Sequence, residues 1–264
     1  MTDVVRWGGA AIAAAGVAGL ARWRRSLTSD GAVAATAVGT VTLARGGPPA
    51  AAAILAFFVT SSALSHFKSA TKGRRSVLAQ AKGGERDAMQ VLANGGVATA
   101  ALLLGGPRAP GAFLGALATA GADTWATELG LLARSTPRLV TTLSLVTPGT
   151  SGGVTWQGTL ASVVGAATVG AAWGIPSGRM RAAVRAAVTA GTLGALTDSV
   201  LGATLQAGYW CDACGEPTET RTHVRCGGEA RRVRGLAWID NDAVNALATL
   251  CGAALGALLF RTHR

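Results

Sequence analysis

Two carboxylates stand inside an apolar helical stretch. Residues 115–130, GALATAGADTWATELG, set Asp123, Thr124, Thr127 and Glu128 among alanine, glycine and leucine, and Leu129, Leu131 and Leu132 resume the apolar run. A charge in a bilayer-length segment is costly, so such groups face a cavity, a partner or an ion. Helical spacing puts Asp123 with Thr127 and Thr124 with Glu128 on adjoining faces. Magnesium takes oxygen ligands and needs only one or two carboxylates when substrate phosphates complete its shell. Phosphoryl transfer asks for little more than such positioning and charge neutralisation. The plainer alternative is a carboxylate tied to an arginine as structural glue.

Other polar residues interrupt apolar sequence in the same way. Asp198-Ser199 is followed by Gly202 and Gln206 at four-residue steps, Asn94-Gly95-Gly96 lies early in an apolar run, and Asn241, Asp242 and Asn245 open another. Asp123, Glu128, Asp198 and Asp242 are the candidate acidic ligands, the first three for catalytic Mg²⁺, with Asn94, Asn241 and Asn245 as amide donors or acceptors. Residues 147–153, TPGTSGG, offer hydroxyls and flexible backbone through Thr147, Gly149, Thr150, Ser151, Gly152 and Gly153. Such a loop can turn its N–H groups toward phosphate. It is not a Walker A sequence, and a simple interhelical turn is the alternative. Lys82 and Arg86 are either phosphate partners or plain topology markers.

A second chemistry sits in residues 208–235. Cys211-x-x-Cys214-Gly215 and His223-x-x-Cys226-Gly227 form two short knuckles, each closed by glycine. Four such ligands suit tetrahedral zinc, and a site filled by four protein ligands is structural, not catalytic. A loop of reduced thiols is the alternative. Three of the four cysteines cluster here, which argues against a disulfide framework.

The elements that must position these residues follow from composition. Half of the 264 residues are apolar, 14% are charged, and aromatic residues make up 5%. Apolar runs recur from end to end, which predicts an all-α, polytopic transmembrane bundle: a single integral membrane domain, 1–264, with 208–235 as an inserted zinc-binding loop. The drawn spans are 4–21, 31–44, 49–65, 88–106, 111–132, 158–175, 182–207 and 236–260, with six or seven crossings as alternatives. The second is short for a crossing of ~20 residues, so it is tilted, re-entrant or fused to its neighbour. The first is expected as a retained helix, because no cleavage site follows it.

The net charge of +11 does not point to nucleic acid, because the basic residues lie mainly in short loops between apolar runs. With the N-terminus outside, 16 of the 24 lysines and arginines fall in inner loops. That places the carboxylates, the glycine loop and the Cys/His loop toward the cytoplasmic side of a cell membrane, where nucleotides are available. The cluster Arg179, Arg181 and Arg185 runs against this drawing. All seven tryptophans lie near span ends or in adjoining loops, as interfacial anchors do. Small residues recur at packing spacing, as in Gly111 with Gly115 and Gly252 with Gly256. A weak internal echo, DAMQVLAN at 87–94 with DAVNALAT at 242–249, matches the duplicated halves of secondary transporters.

With these residues assembled, the chain resembles the transmembrane protein 19 family, integral membrane proteins catalogued as a domain of unknown function. The resemblance is carried by VLANGG (91–96), ATAGADTWATELG (118–130), TPGTSGGVT (147–155), DSVLGATLQ (198–206) and NDAVN (241–245). The plant member is a phytyl-phosphate kinase. The resemblance therefore implies a membrane kinase that takes an isoprenoid monophosphate to the diphosphate with a nucleoside triphosphate and Mg²⁺. The Cys/His loop looks like a feature of prokaryotic members and leaves the substrate open. A secondary transporter or ion-coupled exporter using the same carboxylates is the alternative, and an assembly factor docking through its zinc loop is a third. A homo-oligomer is compatible with each.

Overall fold

The computed structural model describes residues 3–76 and 84–260. The helices are α1 (Asp3–Trp23), α2 (Ser29–Val41), α3 (Gly47–His66), α4 (Ser69–Arg75), α5 (Ala88–Leu104), α6 (Ala109–Gly130), α7 (Trp156–Ser177), α8 (Met180–Thr204) and α9 (Asn241–Leu259). A helix stands at each of the eight drawn spans, so the fold is a mostly helical bundle. Among the described residues, four stretches are long and apolar enough to cross a membrane, namely Asp3–Trp23, Ser29–His66, Trp156–Ser177 and Asn241–Leu259.

Local sequence explains the boundaries. A π turn, Thr42–Gly46, links α2 to α3, and Gly47 follows with φ 64°, a value that suits glycine, ahead of prolines in the first turn of α3. The chain reverses there. The start of α2 and the end of α3 both meet Arg86, whose carbonyl accepts from the Thr28 N–H at 3.0 Å and whose guanidinium donates to Ser62 Oγ at 3.3 Å. The span drawn at 236–260 begins later, at Asn241, because the Asp240 side chain caps the helix by accepting from the Ala243 N–H at 2.9 Å. The span drawn at 88–106 stops at Leu104, where Gly105 takes φ 71°.

α6 is the hub. Residues 113–122 are all buried, and the helix packs against α3, α5, α7, α8 and α9, while α2 lies against α5 and α1 lies against α2. Small residues make this closeness feasible. A Cβ on Gly115 would stand 2.9 Å from Gly256 Cα and 3.0 Å from Gly252 C, so α6 and α9 meet backbone to backbone. Gly191 on α8 likewise sits 2.8 Å, by that measure, from the Ala118 carbonyl oxygen. Gly115→Ala is accordingly expected to lower stability by roughly 1–3 kcal/mol, the usual cost of overpacking, read as a fall in the thermal unfolding midpoint of detergent-solubilised protein. An unchanged midpoint would mean the two helices have slack.

At one end of the bundle Phe113, Trp173 and Phe260 stack, with ring centroids 5.6 and 6.3 Å apart. At the other end α5, α7 and α9 begin and α3, α6 and α8 finish. The polar loops gather there. A two-stranded sheet pairs β1 (Arg138–Leu139) with β2 (Gly153–Val154), and a three-stranded antiparallel sheet, β3 (Gly208–Cys211), β4 (Glu216–Thr218) and β5 (Arg231–Arg234), carries the Cys/His loop with β3 in the middle. Short strands inside that loop were not anticipated from the sequence.

Candidate functional site

The polar end encloses a cavity of about 810 Å³. Its walls come mainly from six helices, the 148–155 loop, α4 and one residue of the Cys/His loop. Three helices point their N-termini at it, and side chains cap them. Asp87 accepts from the Gln90 N–H at 2.9 Å, Thr155 from the Gly158 N–H at 3.0 Å, and Asp240 caps α9 as described. Helix N-termini carry partial positive charge, so the three together favour an anion in the cavity.

α6 contributes Asp123, Thr124, Thr127 and Glu128 to the wall, and α8 contributes Asp198 and Ser199. The two aspartates thus enter one space from different helices. Glu128, expected from the sequence as a Mg²⁺ ligand, meets two groups of the chain at this wall. Its Oε1 accepts from Ser65 Oγ at 2.7 Å, and its Oε2 is ion-paired with Lys72 Nζ. Each carboxylate oxygen thus meets one chain group, and the cation beside it is a lysine. Lys72 is buried and also donates to the Leu64 and Ser65 carbonyls at 2.6 and 3.2 Å, tying α4 to the end of α3.

Arg86 lines the cavity as well. Its guanidinium lies 6.0 Å from the Phe57 and Phe58 ring centres and donates to Ser62. Burial pulls its pKa below the ordinary arginine value, and the nearby Glu128 charge opposes that shift. Arg86 is thus a basic group held at the wall. Lys82 lies outside the described residues.

Of the glycine loop, Gly149, Thr150, Ser151, Gly152 and Gly153 line the cavity, and Thr147 does not. Thr147 shapes the loop instead, since its carbonyl accepts from the Thr150 N–H at 3.1 Å and its hydroxyl meets the Thr150 hydroxyl at 3.0 Å. Gly149 and Gly152 adopt φ 87° and 81°, left-handed values that disfavour a side chain. A Cβ on Gly152 would also come within 2.7 Å of the Ser199 carbonyl oxygen. The loop is thereby seated on α8.

Asn94, Asn241 and Asn245 line the cavity, and Asp242 does not. Asn241 and Asn245 are one turn apart, whereas Asp242, one residue on, is rotated by about 100°. Asn94 donates through Nδ2 to the Gln90 carbonyl at 2.9 Å, which orients its amide. Sequence reasoning missed Thr192 and Glu219, both in the wall, and did not assign Gln206 to it. Thr192 Oγ1 and Gln206 Nε2 are buried with no hydrogen-bond partner among the described residues, which is the condition a polar ligand relieves.

The Cys/His loop forms a separate centre. The ligand atoms of Cys211, Cys214, His223 and Cys226 all lie within 4.8 Å of one another. Cys211 Sγ and Cys226 Sγ are 3.5 Å apart, and His223 Nδ1 is 3.3 Å from Cys226 Sγ. Bond lengths of ~2.3 Å to sulfur and ~2.0 Å to nitrogen in a tetrahedron imply edges of about 3.5–3.8 Å, near these two separations, so the quartet could hold a metal ion. The Gly228 backbone, Cys214 and His223 hold the Cys226 thiol down to about 6, while Cys226, burial and Cys211 push Cys214 up to about 12. Among the described residues this is the one group of three or more His, Cys, Asp or Glu ligand atoms so closely set. The cavity carboxylates do not form another.

The family model for integral membrane protein DUF92 matches residues 12–253. The chain belongs to that family. This is the membrane family that the sequence motifs resembled. Protein PGR of Arabidopsis thaliana is 31% identical over 86% of this chain and 86% of its own length. An uncharacterized membrane protein of Methanocaldococcus jannaschii is 30% identical over 57% of this chain and 51% of its own. No solved structure matches.

Proposed function

We propose that this DUF92 protein is a membrane kinase that phosphorylates an isoprenoid monophosphate to the diphosphate, with its active end on the cytoplasmic side of the cell membrane. One observation carries the reading. A single cavity holds Asp123, Asp198, the 149–153 loop, Arg86 and three helix N-termini, and it also reaches Leu196. Leu196 is 47% exposed, and an apolar tail would lie beside it with its phosphate in the cavity.

In the reaction, an oxygen of the monophosphate attacks the terminal phosphorus of the nucleoside triphosphate. The bond from that phosphorus to the bridging oxygen breaks, and the nucleoside diphosphate departs with the electron pair. The acceptor is already an anion, so no general base is required. Asp123 and Asp198 would hold Mg²⁺, whose contribution is to neutralise phosphate charge. The glycine loop and Asn94 orient phosphates, Asn241 and Asn245 complete the polar wall, and Arg86 balances charge. Glu128 acts one step removed, by fixing Lys72. An ion-coupled exporter would need a path to the opposite end, where the Phe113–Trp173–Phe260 stack and the Gly111–Gly256 contact fill the bundle.

The test incubates purified protein with γ-labelled nucleoside triphosphates and prenyl monophosphates of several chain lengths. Label transferred into lipid diphosphate is expected. Ion flux in proteoliposomes with no labelled lipid would replace the kinase with a transporter. At the Cys/His loop the ion is proposed to be structural zinc. Metal analysis should find about one zinc per chain, lost in Cys211→Ser, and equal, negligible zinc in both would remove it.

A further inference from the structure

Glu219 belongs to the Cys/His loop yet lines the cavity. It lies between two of the clustered ligands, Cys214 before it and His223 after it, so an ion bound there fixes both ends of its segment. Hydrogen bonds brace the turn beside it: the Thr218 and Thr220 hydroxyls meet at 3.1 Å, and Thr220 Oγ1 donates to the Thr222 carbonyl at 2.6 Å. At the cavity Glu219 Oε1 accepts a hydrogen bond from Ser151 Oγ, in the middle of the glycine loop. Arg234 of β5 supplies the balancing charge and donates to the Gly202 carbonyl of α8 at 2.7 Å. A carboxylate beside a phosphate loop would repel the anion it borders, so contact with phosphate is a poor account of Glu219. Holding the loop is a better one.

We propose that Glu219 is a positioning residue through which metal occupancy of the Cys211–Cys226 cluster sets the conformation of the 149–153 loop. With metal bound, Glu219 is fixed and holds Ser151. Without it, the 214–223 segment loosens and the loop opens. The inference rests on the reading of the cavity as a phosphate site for its meaning, and its test is independent of that reading.

Backbone hydrogen exchange of the full chain in detergent, zinc-loaded and chelator-stripped, reads the loop directly. Stripping is expected to raise exchange in 147–153 by about tenfold, the order set by losing one hydrogen bond to a charged group. Glu219→Ala should raise it equally with zinc content unchanged, and stripping that variant should add nothing further in the loop. Glu219→Gln keeps an acceptor oxygen for Ser151 and should restore protection. Where kinase activity is present, Glu219→Ala should raise KM for the nucleotide severalfold, and Glu219→Gln should return it. Should Glu219→Ala fail to fold, Ser151→Ala deletes the same bond from the other side and should match the stripped protein. Opening of 208–235 with 147–153 unchanged on stripping, or equal exposure in the Ala and Gln variants, would overturn the proposal. Absence of kinase activity alongside the predicted exchange pattern would defeat the kinase reading and leave this coupling standing.

Discussion

Asp123→Asn is expected to lower kcat for lipid phosphorylation by about 10²–10³-fold, the range seen when one preorganised electrostatic group is removed from a reacting centre. Asparagine keeps the volume and one oxygen but removes the negative charge that would hold a divalent ion. KM for the prenyl phosphate should change little, because the tail and the glycine loop are untouched. Asp198→Asn should act in the same direction, and the double variant should lose far less than the product of the two effects, since both groups would serve one ion. A thermal unfolding profile of each variant separates loss of charge from loss of fold. An Asp123→Asn protein that folds normally and retains full activity would remove Asp123 from the chemistry.

The second large effect concerns stability. Lys72→Met should destabilise the chain by about 3–5 kcal/mol, the cost of leaving one member of a buried ion pair uncompensated. The lysine is 4% exposed and saturated by Glu128 and two carbonyls at the end of α3. Its removal strands Glu128 beside Ser65 and loosens α4 from α3. Adding Glu128→Gln should recover part of the loss, because no unpaired carboxylate then remains. Recovery should stay incomplete, since Arg86 loses the opposing charge of Glu128. An unfolding midpoint for Lys72→Met equal to that of the parent would show that the pair contributes nothing.

Much of the site was legible because a polar residue inside an apolar run is an anomaly. Asp123, Asp198, Asn94, Asn241 and Asn245 stood out in this way, and helix periodicity grouped the polar face of α6. The same periodicity, applied more strictly, separates Asp242 from its neighbours. Lys72 and Glu219 gave no such signal. Both sit in polar stretches where a charge is ordinary, and their meaning comes from partners 56 and 68 positions away in sequence. Glu128 was visible as a carboxylate in an apolar run, but its partner Lys72 was not. The reversal at Gly46–Gly47 was half visible: the Gly-Gly-Pro-Pro run marks a break, while the short apolar stretch before it looked like an incomplete crossing. The strands of the Cys/His loop, such as Glu216–Thr218, are too short for alternation to register.

The central position of α6 bears on how the chain enters its membrane. Among the described residues the helix is not one of the stretches apolar enough to cross a bilayer by themselves, and its carboxylates near one end add an insertion cost below the roughly 2.5–3.5 kcal/mol of a charge at a helix centre. Most of its partners, α7, α8 and α9, are synthesised after it. α6 is accordingly expected to insert with the help of the later segments that pack on it. Truncation after residue 155 should leave α6 outside the lipid, and restoring α7 to α9 should draw it in.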